Sequence, residues 1–447
     1  MPAITLALQL LAITHVTLID PDVSAVRRDM TIVVRGTHVE AVGASATTTV
    51  PAGARVIEGR GKYVIPGMWD MHVHADASGG RALLPLFVAA GVTGVRDMNG
   101  SLSRLRGWQR EIAAGTLVGP RLVISGPYII GRDLPPALGM PYLRASDEAS
   151  ATRGVDSLVA LGVDFVKVHG FLTPTAYFAA ARAARRKGIT FAGHVTLPVT
   201  PLQASDSGQR SLEHLYAFLN ECTPADSAVI ARGIALQRYV MGECTSVSQQ
   251  AMYARLARNR TWVTPTLTVQ RMLSEMRVPI VPGDSTAQFY GDSLMLRLAM
   301  EMELPPTPPP GSVAAGEALF ARRMALVGAL HRAGVPILGG TDAPLAVGGP
   351  GAGIVGELEL LVQSGLTPRE ALRTVTTEPA RYLAADSLGT VARGKVADLV
   401  VLDADPLVQV TNLRRIHAVV ANGRVFDAAA REALFQAARR AARPAGH

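Results

Sequence analysis

From Ile13 to Ile57 apolar and polar residues alternate in short runs, Ile13–Ile19, Met30–Arg35, His38–Val42 and Arg55–Ile57, broken by Gly and Pro. Alternation with that punctuation predicts short strands joined by turns. The texture returns from Gly389 to Phe426. There GTVARGKVADLVVLDADP leads to a strand around His417–Val420, an Asn422-Gly423 turn and a strand over Arg424–Phe426. Asn-Gly between apolar runs is a hairpin signal, because both residues tolerate the positive φ of a type I′ turn. Two β-rich ends around a different middle predict one small β-sandwich built from both termini, residues 1–65 with 386–430.

The middle, residues 66–385, alternates short apolar runs with helix-compatible stretches. Strands are predicted at 63–75 (YVIPGMWDMHVHA), 92–98, 121–126, 164–170, 190–195, 210–215, 261–268 and 335–344. Strand–helix alternation repeated in this way fits an α/β fold with a (β/α)8 TIM-like barrel. An open doubly wound sheet is the alternative, but no GxGxxG follows the first strand. The long stretch from Val269 to Gly334, with LPPTPPPG at 304–311, is expected to form a pocket wall or an oligomer contact.

Hydrophobic residues make up 48% of the 447 and charged residues 18%, which excludes a disordered chain. The net charge of +8 is scattered except in the tail, 431–447, which reads as an Ala/Arg-rich helix. A solvated helix face accounts for it, and with no nucleic-acid motif no such partner is expected. Cys222 and Cys244 have neither CxxC spacing nor a framework, and nothing supports a disulfide between them. Ala3–Ile13 is apolar but too short to span a membrane, and it lacks the basic start of a secretory signal. It is either the remnant of a trimmed signal or the first strand, so localisation stays open and no membrane partner is expected.

In barrels of this kind the active site lies at the C-terminal ends of the strands. Polar residues at those ends are His72 and His74 on strand one, Lys167 on strand four, His194 on strand five, His214 on strand six and Asp342 on strand eight. His72 and His74, two apart on a strand, point to the same side and suit one metal ion. A pair of buried, hydrogen-bonded histidines is the plainer reading of a lone HxH, but ligands from three further strands favour metal. Lys167 is one of only four lysines and lies inside the apolar run FVKVHG. Burying a bare ammonium there costs several kcal/mol. Burial favours the neutral amine, which can capture carbon dioxide as a carbamate with two metal-binding oxygens. The alternative is a lysine paired with a buried carboxylate such as Asp97.

This set, together with VIPGMWDMHVH, GVTGVRD, SLEHL, GGTDAP and LGTVARGKVADLVVLDADP, resembles the binuclear branch of the amidohydrolase superfamily. Within it the chain looks like imidazolonepropionase-like proteins, Xaa-Pro and other dipeptidases, and ochratoxin-type amidases, over almost its whole length. The resemblance implies that His72, His74 and Asp342 hold a more buried metal and His194 and His214 a more exposed one. Carboxylated Lys167 and a hydroxide would bridge them. It implies two divalent ions, usually zinc, and Asp342 as the catalytic proton shuttle. The implied reaction is hydrolysis of the C–N amide bond of a dipeptide, an N-acyl amino acid or a related small-molecule amide, by an enzyme that is often a homo-oligomer. Ester, lactone or carbamate hydrolysis by the same centre is the alternative. A non-catalytic assembly protein is a further one, against which stand six intact ligand positions.

The chain departs from the dipeptidases after strand five, where GHVTLPVTPLQASD carries no tyrosine. His169, two residues after Lys167, is a candidate substrate contact or a partner behind a ligand. Tyr128 is a further substrate candidate, with an ordinary half-buried tyrosine as the alternative. Glu213 is expected to face away from the metals, and Arg96 and Asp97 to serve as polar packing. No arginine can be assigned to a substrate carboxylate.

Overall fold

The computed structural model describes residues 10–76, 80–134, 136, 139–197, 199–215, 218, 247–275, 312–344 and 349–442. Cys222, Cys244, the proline-rich 304–311 and the end of the tail lie outside the described residues.

Both ends of the chain meet in one eight-stranded sheet. Its strands are β1 (Leu10–Leu18), β2 (Arg27–Arg35), β3 (His38–Ala44), β4 (Arg55–Glu58) and β5 (Tyr63–Pro66) from the N-terminal side. Residues that close the sheet from the other end come in three more strands, numbered β15 to β17 below. The central strands are β6 (Met68–Val73), β7 (Val92–Asp97), β8 (Arg121–Ile124), β9 (Tyr128–Ile130), β10 (Tyr142–Arg144), β11 (Val166–Val168), β12 (Phe191–Gly193), β13 (Ser211–Glu213) and β14 (Trp262–Thr264). The last three are β15 (Leu399–Leu402), β16 (Ile416–Ala421) and β17 (Arg424–Asp427).

The terminal sheet runs β17-β16-β15-β5-β1-β2-β3, with β4 on β1. The two ends join where β5 pairs antiparallel with β15, Leu399 opposite Pro66 and Leu402 opposite Tyr63. Ile13, Ile32, Val64, Leu399 and Val420 share one buried cluster, so neither end completes this core alone. The β16–β17 hairpin turns at Asn422 and Gly423, with φ of 47° and 72°, as the Asn-Gly signal requires.

The central strands form two parallel sheets, β6-β7-β8 and β10-β9-β11-β12-β13-β14. Every residue of β6 and β7 is buried, as expected for parallel strands covered on both faces. Residues 335–344 link the two sheets through isolated parallel bridges, Ile337 to Val263 and Ala343 to Val73. At the opposite seam the Asp164 amide donates to the Ile124 carbonyl at 2.9 Å. Helices follow the strands. In Pro174–Lys187, Thr173 caps the first turn, Pro174 supplies a pre-set φ, alanines fill the buried face, and Gly188 ends the helix at φ 67°.

Every predicted central strand is shorter than expected, 335–344 being reduced to isolated bridges, and two of the others show why. The run 63–75 divides at Gly67 between the terminal sheet (β5) and the central one (β6), and a Cβ at Gly67 would lie 2.2 Å from Thr93 Oγ1. The run 261–268 is a strand only to Thr264. Pro265 cannot donate to a ladder, Thr266 turns to φ 47°, and a helix starts at Leu267. The tail forms a helix over Ala428–Ala442 that is docked rather than fully solvated. Phe435 and Ala438 pack on Leu83 and Leu86, and Arg431 donates to the carbonyls of Ala89 and Ile416. Among the described residues no helix is long and apolar enough to cross a membrane.

Candidate metal centre

The C-terminal ends of the central strands bring the predicted residues together. His72 Nε2 lies 3.4 Å and His74 Nε2 3.1 Å from Asp342 Oδ1. Ligand atoms of His72, His214 and Asp342 all fall within 4.8 Å of one another, and all three residues are buried. The imidazoles continue as a row: ring centroids are 4.7 Å apart for His72–His214, 4.7 Å for His194–His214 and 4.2 Å for His169–His194. His214 and Asp342 lie just past their strands with φ of 60° and 61°. Such backbone costs about 1–3 kcal/mol at a non-glycine residue and persists only where the surroundings enforce it.

Those surroundings are hydrogen bonds to the nitrogens that do not face the centre. His72 Nδ1 is 2.8 Å from Glu213 Oε2. Burial opposes ionisation of Glu213, but Arg96 outweighs it, donating to both carboxylate oxygens at 2.8 and 2.9 Å and holding the carboxyl well below the usual range. An ionised carboxylate only accepts, so the His72 proton is on Nδ1 and the Nε2 lone pair faces the centre. Arg96, fully buried, also donates to the Met71 carbonyl and to the hydroxyls of Ser211 and Tyr382. His214 Nδ1 lies 2.7 Å from Thr266 Oγ1, whose own proton goes to the Pro265 carbonyl at 2.8 Å. Thr266 therefore accepts from Nδ1–H, which leaves the His214 lone pair on Nε2. Glu357 fixes the same loop by accepting from the amides of Leu267 and Thr268, both at 2.8 Å. Asp70 ties strand one to strand eight, accepting from the His72 amide, the Thr341 amide and the Thr341 hydroxyl.

A cation suits what remains. Among the described residues His72 Nε2, Lys167 Nζ and Asp342 Oδ1 are buried without a hydrogen-bond partner, which would be costly unless something else satisfies them. His72 is pushed down to about 4, by burial first, so its imidazole is neutral at pH 7 and available as a ligand. Asp342 is held well below the usual carboxylate range: burial works against this, but the imidazoles of His72, His74 and His214 outweigh it. Imidazoles around a carboxylate, with no thiolate among the described residues, form a donor set for a borderline or hard divalent ion. Lys167 is 1% exposed, makes no ion pair with Asp97 or any other described carboxylate, and is pushed down to about 8 by burial. Gly193, at φ 129°, makes room for it: a Cβ there would lie 2.9 Å from Lys167 Cδ.

Two expectations need correction. Glu213 does not face away from the centre. The alternation rule holds only within β13, and His214 lies beyond it in a left-handed conformation, so Glu213 and His214 both reach the His72 ring. Tyr128 is fully buried rather than half-buried, stacked on His169 with centroids 4.7 Å apart. Sequence reasoning missed Thr266 and Glu357. The one available signal for Glu357 is an acidic residue within the otherwise apolar helix GIVGELELLVQ.

Comparison with known proteins bears on this geometry. No curated protein sequence matches the chain. Solved structures do. A putative prolidase from Bifidobacterium longum is 23% identical, with a TM-score of 0.69 over 96% of this chain and 99% of that one. Bottromycin amidohydrolase is 24% identical, with a TM-score of 0.74 over 97% of this chain and 90% of that one. A. niger ochratoxinase is 18% identical, with a TM-score of 0.67 over 94% and 96%. At these identities the likeness is one of fold. The amidohydrolase family profile matches residues 63–426, from β5 through β17. The chain therefore belongs to the amidohydrolase family, enzymes that hydrolyse carbon–nitrogen bonds.

Proposed function

We propose that this enzyme hydrolyses the amide bond of a dipeptide, an N-acyl amino acid or a related small amide at a binuclear divalent metal centre. The observation that carries this reading is the convergence of His72, His214 and Asp342 ligand atoms within 4.8 Å of one another, with His72 Nε2, Asp342 Oδ1 and Lys167 Nζ buried and without hydrogen-bond partners. His72, His74 and Asp342 would hold the inner ion and His194 and His214 the outer one. Lys167 would link them as a carbamate: its neutral amine adds to carbon dioxide, forming an N–C bond and releasing one proton. Zinc is the ion that this donor set fits best. In the same reading the central strands close as a (β/α)8 barrel over 66–385 and the terminal sheet folds as a sandwich from 1–65 and 386–430. Residues 431–447 follow as a tail, and several copies assemble into a homo-oligomer.

When bound, the ions supply an acidified water and polarise the scissile carbonyl. Asp342, kept ionised among the imidazoles, takes the proton of the attacking water and returns it to the leaving nitrogen. The return matters because an amide nitrogen leaves poorly unless protonated. Glu213 and Thr266 hold the two imidazoles in the tautomers that present Nε2. His169, partly exposed, would face the entering substrate, with the buried ring of Tyr128 stacked behind it.

The test is zinc-reconstituted protein incubated with dipeptides, N-acyl amino acids, esters and lactones, with products read by mass spectrometry. Release of free amino acids is expected, slowed about 10²–10⁴-fold in Asp342→Asn. Cleavage of esters or lactones alone would leave the centre standing and remove the amide assignment.

A further inference from the structure

We propose that Arg132, braced on Phe171, is the anchor for a substrate carboxylate and selects amides whose leaving amine carries one, such as the C-terminal residue of a dipeptide or the amino acid of an N-acyl amino acid. The choice of leaving group rests on the amide reading above; the anchor itself does not.

Arg132 follows β9 and Phe171 follows β11, so both stand at the strand ends that carry the centre. Their loops are joined. The Gly131 amide donates to the Gly170 carbonyl at 3.3 Å, and a Cβ on Gly131 would fall 1.7 Å from the Phe171 carbonyl oxygen, so only glycine allows this approach. Phe171 is held at φ 65° and is 57% exposed, an unfavourable position for a large apolar residue unless the ring is used. Its ring carries the Arg132 guanidinium, whose central carbon is 3.8 Å from the centroid. Stacking fixes the direction of a planar cation while leaving its N–H edge free.

Among the described residues that edge has no carboxylate. The adjacent acid, Asp133, is already engaged by Arg144 at 2.9 Å and by the Tyr142 hydroxyl at 3.4 Å. Arg132 and His169 sit on either side of the Gly131–Gly170 hydrogen bond that joins the two loops. His169 in turn lies 4.2 Å from His194, ring to ring, and its Nδ1 is buried with no hydrogen-bond partner. A row thus runs from the centre through His194 and His169 to the exposed Arg132, which has no carboxylate partner among the described residues. In an amino-acid leaving group the carboxylate carbon is only two bonds from the scissile nitrogen. With that nitrogen beside His194, a carboxylate directed along the row would face Arg132.

The test compares N-acetyl-L-leucine with N-acetyl-L-leucinamide in zinc-loaded wild type, Arg132→Met and Arg132→Lys. The acid should be preferred by about 10- to 100-fold in kcat/KM, expressed in KM. Arg132→Met should lose the preference by raising KM for the acid alone, and Arg132→Lys should keep part of it, having charge without the fork. An unchanged preference in Arg132→Met, or an equal loss on both substrates, would overturn the proposal. The acid and carboxamide of an O-acetyl 2-hydroxy acid are run in parallel. If only that pair turns over, amide hydrolysis has failed while the acid preference still judges Arg132. Calorimetry with the common free L-amino acids covers a lack of turnover: the best-bound one should bind about 10- to 100-fold more weakly to Arg132→Met, and equal affinity or no binding to wild type would also overturn it.

Discussion

The two walls of the centre are built differently. On the inner wall, His72 and His214 have their rear nitrogens pinned, by Glu213 with Arg96 behind it and by Thr266. On the outer wall, His169 is partly exposed and held between the rings of Tyr128 and His194, and its Nδ1 has no hydrogen-bond partner. A pinned imidazole has one tautomer and one direction, as an ion-holding ligand needs. A stacked, partly solvated ring tolerates exchange of what lies in front of it, as a substrate wall needs. The difference separates residues that hold from residues that select.

The comparison breaks most severely at Arg96. Arg96→Met leaves the Glu213 carboxylate buried without its cation, and the expected loss is about 3–5 kcal/mol of stability, measured by chemical denaturation of metal-free protein. A loss below 1 kcal/mol would mean that the inner wall does not depend on this pair. Next come Glu213→Gln and Thr266→Val, each expected to weaken metal affinity about 10- to 100-fold in a chelator competition, with Thr266→Ser restoring it. His169→Asn, on the outer wall, should leave metal affinity unchanged and raise KM. Equal effects of inner and outer substitutions on metal affinity would erase the distinction.

The smallest effect is a pH dependence beside the outer wall. Asp97 accepts from the Ala75 amide through Oδ2, its Oδ1 has no partner, and burial pushes its carboxyl up to about 7. A raised carboxyl pKa stabilises the fold below the unfolded value near 4 and loses that contribution as pH rises through 7. Asp97→Asn keeps the acceptor without the charge. In metal-free protein its stability should therefore gain on wild type as pH rises from 5 to 8, and a constant difference would contradict this.

What was legible in the sequence follows the same division. His72 and His74 could be read because a strand alternates every two residues, and Lys167 because an ammonium in an apolar strand has a large solvation cost. Strand–helix alternation placed the central strands, and the Asn-Gly turn placed the last hairpin. Glu213 was misread because periodicity ends with the strand, and His214 lies one residue past it at positive φ. Thr266 and Glu357 were not legible. They act on His214 from the strand-seven loop and the helix Gly353–Gln363, a contact set by packing between elements and not by spacing along the chain. Arg132 carries no local signature either, since its meaning comes from Phe171 on the neighbouring loop.

The most direct test is the number of zinc ions bound per chain, by elemental analysis after dialysis, in wild type and Lys167→Ala, with and without bicarbonate in the buffer. Two ions in wild type, dependent on bicarbonate, with one or none in Lys167→Ala, is the predicted result. Two ions retained by Lys167→Ala, or a single ion in wild type whatever the bicarbonate, would contradict a centre bridged by Lys167.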